Sequence, residues 1–195
     1  GRGTVAAMSA VGAIVADNTS LPLGINVLRN DALSAVSVAA AVGARFIRVN
    51  VHVGAAATDQ GIIQGNARET LLAIGRQAPE LRVFADVFVK HAKPLSSDSI
   101  EQSAEELVKR GKADALIVTG SMTGSPGSPE ELARVRGAVP GTPVVVGSGV
   151  TAGTVADTLA LCDAVIVGSD IMEGGSAANP VDPARAAAFV RAARP

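Results

Sequence analysis

The seven residues Arg-Val-Asn-Val-His-Val-Gly at 48–54 alternate strictly between polar and apolar. On a β-strand, whose side-chain period is two, that pattern puts Arg48, Asn50 and His52 on one face and Val49, Val51 and Val53 on the other. The valine face packs on something apolar. The fold is decided by what the polar face meets.

Working outward, short apolar strands recur at 22–28, 45–53, 82–90, 113–119, 143–148 and 164–168, with helical periodicity between them. Several helices carry start signals: Asp31 ahead of residues 32–42, Asp98 with Glu101, Ser128-Pro129 with Glu131, and Asp182-Pro183. An opening helix takes Val5, Met8, Val11 and Val15 as its apolar stripe; that spacing argues against a secretory leader. Alternating strands and helices predict an α/β fold with a parallel sheet, since parallel neighbours need a crossover. In a doubly wound sheet both faces lie under apolar helices, and three buried polar side chains would cost several kcal/mol. In a TIM (β/α)₈ barrel the second face is the lumen, whose carboxyl-terminal mouth is the usual site of chemistry. A single barrel-type domain over 1–195 is therefore expected. Only six units are counted, so two strands and one helix are expected ahead of Gly1.

Composition narrows the function. A net charge of -1, no Trp, no Tyr and 2% aromatics leave nucleic acid without a basic surface or a stacking platform. No apolar run reaches the length of a membrane span. The single Cys162 cannot form an internal disulfide and reads as a buried inert thiol, which suits a cytoplasmic protein.

Polar residues gather at the carboxyl ends of four strands: Asn26; Arg48, Asn50 and His52; Asp86, Lys90 and the following His91; Thr119 and Ser121. That convergence predicts a ligand site. Asp86 or His52 is the candidate for moving a proton and Lys90 for stabilising developing negative charge. Asn26, Arg48, Asn50, His91, Thr119 and Ser121 are candidates for holding substrate. An Asp86–Arg48 or Asp86–Lys90 pair that merely neutralises the interior is the structural alternative, as is a core role for His52. The last two strands end in Gly147-Ser148-Gly149 and Gly168-Ser169, each leading towards a helix. Glycine lets amides approach an anion, so these turns are the candidate phosphate cradle. No ligand spacing supports a metal site, and no cofactor is identified. The reactions in reach are those of a phosphosugar isomerase, lyase or hydrolase.

The stretches PLGINVLRND, FIRVNVHVGAAATDQGIIQG, FADVFVKHAKPL, ADALIVTGSMTG, VVVGSGVT and NPVDPAR resemble the BtpA/SgcQ family over nearly the whole chain. The resemblance implies a ribulose-phosphate-binding type of barrel, a phosphorylated small-molecule ligand and two further strands at the start. It also implies an alternative, non-catalytic role in photosystem I biogenesis, with peripheral association at thylakoid membranes. Residues matching the family pattern are Asn26, Arg29, Asn30, Asp31, Arg48, Asn50, His52, Thr58, Asp59, Gln60, Gly61, Asp86, Lys90, His91, Gly147, Ser148, Gly149 and Gly168. One departure is Ile171-Met172, where the family has a basic residue. Six units would leave strand edges exposed, so a homo-oligomer is expected.

Overall fold

The computed structural model describes residues 1–58, 61–88, 93–94, 99–119 and 128–194. Six strands, β1 (Gly24–Ile25), β2 (Phe46–Val49), β5 (Arg82–Asp86), β7 (Ala115–Val118), β8 (Val144–Val146) and β9 (Ala164–Val165), form one sheet in that order. Every pairing in it is parallel. Each new strand adds to the same edge, with no reversal of order. A doubly wound sheet requires such a reversal, so this sheet is singly wound and belongs to the barrel type.

The two faces differ as that winding demands. Ile47, Val49 and Val83 pack on α2 (Ala32–Val42) and α3 (Ala67–Gln77). Ala85, Leu116, Val118, Val144 and Val146 pack on α4 (Ile100–Lys109), α5 (Pro129–Ala138) and α7 (Pro183–Ala193). The opposite face carries Phe84, Ala115, Ile117, Val145 and Ile166, a cluster that includes no helical residue. Phe46 stacks on Phe84 with ring centroids 4.5 Å apart. A Cβ on Gly24 would stand 2.2 Å from the Phe46 ring, so glycine in β1 lets that ring lie flat over the neighbouring strand. The floor of the concave face opens on a cavity of about 420 Å³ lined by Phe84, Ala115 and Val145 with Arg82, Asp114 and Asp163 at its edge.

The helix starts follow the sequence closely. Asp31 accepts from Ser34 N–H, and α2 stops at Gly43 in the left-handed region. Ser128 and Glu131 form a reciprocal capping box with Pro129 at the first helical position. Asp182 accepts from Ala184 and Arg185 N–H. For α4 the cap is Ser99, which accepts from Gln102 N–H; Asp98 lies outside the described residues.

Three features depart from expectation. In α1 (Arg2–Asp17) the packed stripe is Val5, Met8 and Gly12, while Val11 is 60% exposed. Gly12 sets that rotation: a Cβ there would meet Val42 at 3.1 Å, so the smallest residue faces α2. The strand expected at 45–53 ends at Val49. Beyond it Asn30 takes over the pairing, its Oδ1 accepting from Val51 N–H at 2.7 Å and its Nδ2 donating to Val51 O at 2.8 Å. A second sheet was not expected at all: β3 (Ala55–Thr58) pairs antiparallel with β4 (Gly61–Gln64) and with β6 (Lys93–Pro94). Alanine-rich AAAT has weak strand propensity, which hides it from a pattern reading.

Candidate functional site at the carboxyl-terminal rim

Arg48 leaves β2 on the concave face and meets Asp86, which closes β5. Its Nε donates to Asp86 Oδ1 at 2.9 Å and its Nη2 to Oδ2 at 3.0 Å, a two-point fork. Asn50 Nδ2 donates to Asp86 Oδ2 at 2.9 Å, and Asn26 Nδ2 donates to the Arg48 carbonyl at 2.9 Å. Residues from β2, β5 and the ends of their neighbours therefore form one polar network on the inner face. Asp86 is 4% exposed, so polar partners, these donors among them, replace nearly all of its hydration. As a proton acceptor it has little lone-pair capacity left while the network is closed.

The Arg48 side chain also crosses the sheet. A Cβ added to Gly147, two strands beyond Asp86, would lie 3.5 Å from Arg48 Nη2. The same Cβ would lie 2.5 Å from Ile117 Cγ2 and 2.6 Å from Thr119 Cγ2. Glycine at 147 is thus a packing requirement of the rim as much as a feature of an anion turn. Thr119 Oγ1 donates to Phe88 O at 3.2 Å, fixing its methyl against that glycine.

His52 goes elsewhere. Because β2 stops at Val49, the alternation no longer governs residue 52, and the imidazole lies in the helical layer beyond α4. It is 1% exposed, with Nε2 2.8 Å from Gly111 O. That carbonyl accepts from Nε2–H, which leaves Nδ1 as a buried acceptor with no partner among the described residues. Burial lowers the His52 pKa, and the Gly111 hydrogen bond only partly opposes this. The inward placement expected of His52 is corrected, and with it His52 leaves the group that could touch a rim ligand. Lys90, His91 and Ser121 lie outside the described residues.

The two Gly-Ser turns come together at the rim. Gly149 takes φ +75°, and Ser169–Ile171 form a 3₁₀ turn directly after Gly168. Asp170 links the turns: its Oδ2 accepts from Ala152 N–H at 2.9 Å. Arg185 Nε donates to Asp170 O at 2.7 Å, and its Nη2 lies 3.4 Å from Asp170 Oδ1. Neither Asp170 nor Arg185 stood out in the sequence; the Asp next to Gly168-Ser169 was the available signal. Cys162 is buried, its Sγ donating to Thr158 O and Ala164 O, and burial raises its pKa. No described helix is long and apolar enough to cross a membrane.

Comparison with known proteins agrees with this architecture. The chain is 43% identical over 171 residues to the photosystem I biogenesis protein BtpA of Synechocystis, covering 88% of this chain and 60% of that protein's length. It is 31% identical to the putative sgc region protein SgcQ of Escherichia coli, covering 96% of this chain and 69% of that one. Among solved structures, N-(5'-phosphoribosyl)anthranilate isomerase from Pyrococcus furiosus superposes with a TM-score of 0.61 at 17% identity, over 95% of this chain and 80% of the isomerase. At that identity the likeness shows the fold alone. The BtpA family model matches residues 1–195, and the chain belongs to the BtpA family.

Proposed function

We propose that this chain binds a phosphorylated small molecule, a sugar or nucleoside phosphate, at the carboxyl-terminal rim of one incomplete barrel domain, and that it is an enzyme working there by acid–base chemistry. The observation that carries the reading is the Asn26–Arg48–Asn50–Asp86 network on the inner face, bordered by Gly147. A scaffold has no use for a desolvated polar cluster at that position, whereas a ligand site does. Gly147 N–H is committed to Val118 O at 2.8 Å. The amides of Gly149 and Gly168–Ser169 would therefore hold the phosphate beside Gly147 and Ser148, and Asn26 and Asn50 would orient hydroxyls. Lys90, four residues after Asp86 in the sequence, would stabilise developing negative charge. The fold shared with a phosphoribosyl-substrate isomerase supports this reading without assigning the reaction.

The test is titration of the ¹⁵N-labelled chain with ribose 5-phosphate, followed by NMR. Saturable shifts at the Gly147, Gly149 and Gly168 amides are expected, and none at saturating ligand overturns the proposal. A second reading, a non-catalytic assembly factor, is favoured by the 43% identity to a photosystem I biogenesis protein. It predicts that substitutions at Arg48 or Asn50 leave biological activity unchanged.

We also propose that the chain is cytoplasmic and self-associates. Among the described residues β1 and β9 are the outer strands of the sheet, and the floor cavity exposes part of the inner apolar face. Multi-angle light scattering should give a mass above that of one 19.4 kDa chain; a well-behaved monomer overturns this.

A further inference from the structure

We infer that Arg48 is the cation that receives the ligand's anionic group, with Asp86 as the positioning residue that aims it; this deepens the rim-binding reading and rests on it. The argument starts from a donor count. A guanidinium carries five N–H donors. Arg48 commits two to Asp86, and nothing among the described residues accepts the other three. Its side chain is 23% exposed, and a ligand acceptor would reach it through that exposed part.

Gly147 brings the backbone at the end of β8 close to the Arg48 guanidinium. Any side chain there would begin 3.5 Å from Nη2. The same glycine starts the Gly147–Gly149 turn, so the guanidinium lies beside the start of that turn at the end of β8. An anion held there touches a fixed positive charge and backbone dipoles together.

The other sources of positive potential near the two final loops are already engaged. Ala152 N–H, at the approach to α6 (Val155–Leu159), donates to the Asp170 carboxylate. Arg185 is held by the carbonyl and the carboxylate of that same Asp170. The final loops thus carry their own anion, and among the described residues of the inner face Arg48 is a counter-charge with donors left for a ligand. Asp86 fixes the direction: gripping Nε and Nη2 as a fork leaves the Nη1 edge turned away from it. Lysine, a point charge, could not be aimed in this way. A planar guanidinium edge suits a phosphate ester or a carboxylate equally, so the chemical class is an oxyanion.

The experiment is isothermal titration of the full chain with ribose 5-phosphate, inorganic phosphate and malonate. It compares wild type with Arg48→Met, Arg48→Lys, Asp86→Asn and Glu105→Gln, with circular dichroism checking each fold. Arg48→Met is expected to weaken oxyanion binding by about 10- to 100-fold. Arg48→Lys keeps a cation opposite Asp86 and so protects the fold, yet should still weaken binding by losing the fork. Asp86→Asn makes the site one charge more positive, so a purely electrostatic role predicts tighter binding and a positioning role predicts weaker binding. Glu105→Gln, on the solvent side of α4, should leave affinity unchanged. Wild-type binding of phosphates that survives both Arg48 substitutions overturns this inference and leaves the phosphate reading standing. Tighter binding in Asp86→Asn overturns the positioning role. Binding of malonate but not of either phosphate, lost in Arg48→Met, supports Arg48 while removing the phosphorylated ligand. No binding of any probe overturns both.

Discussion

Asp86→Ala is expected to destabilise the fold by about 3–5 kcal/mol, the largest single effect predicted for this chain. The wild-type pair is a fork with distances of 2.9 and 3.0 Å, with side chains 23% and 3% exposed for Arg48 and Asp86. Deleting the carboxylate leaves a guanidinium mostly out of water, with its compensating charge gone and Asn50 Nδ2 deprived of its acceptor. Because Arg48 keeps some contact with solvent, the loss should fall toward the lower end of that range. Asp86→Asn retains an oxygen acceptor and should cost less. Replacing both members by apolar residues of similar size should recover most of the loss, since breaking a buried pair is costlier than removing it whole. Urea unfolding at pH 7 measures each variant. An Asp86→Ala protein within about 1 kcal/mol of wild type would mean that Arg48 finds full hydration elsewhere.

Acidification below pH 6.5 should destabilise the chain, and His52→Gln should remove part of that sensitivity. The unfolded imidazole titrates near 6.5, whereas burial lowers its pKa in the folded state. Between those two values the unfolded chain binds more protons, so stability falls as pH falls. The slope contributed by one such group is about 1.4 kcal/mol per pH unit. Above 6.5 both states hold a neutral ring and His52 adds no pH dependence. The structural reason is the Gly111 carbonyl, which fixes the Nε2–H tautomer. A second proton on Nδ1 would create a buried donor with no acceptor among the described residues. Glutamine keeps an N–H for Gly111 and does not titrate. His91 is present in both proteins, so its contribution cancels in the comparison. Urea midpoints from pH 7.5 to 5 should diverge, with wild type losing more; parallel curves would show that His52 is not held neutral.

These two residues also mark how far the sequence could be read. Arg48 and Asp86 were legible because both sit inside regular strands, where period two fixes the face and parallel neighbours bring like positions together. His52 was not, because the alternation in RVNVHVG continues three residues past the strand that gives it meaning. What ends the strand is Asn30, 21 residues away in sequence, bonding Val51 from both sides. No local pattern encodes a partner at that distance. The β3–β4–β6 sheet was missed for a related reason: alanine-rich β3 and the two-residue β6 carry little strand signal, and Ile62-Ile63 in β4 are too short a run to stand out without their partners.

By itself the sequence determined the order of the six parallel strands and their helices, most of the caps, and a polar inner face bearing Asn26, Arg48, Asn50 and Asp86. All of these rest on interactions within a turn or on a two-residue period. Only the tertiary structure decided which way His52 turns, that Arg48 crosses to Gly147, and that Asp170 holds the last two loops together. Those facts depend on where distant strands end and on which side chain fills the space beside them, and close packing fixes both only once the whole sheet is assembled.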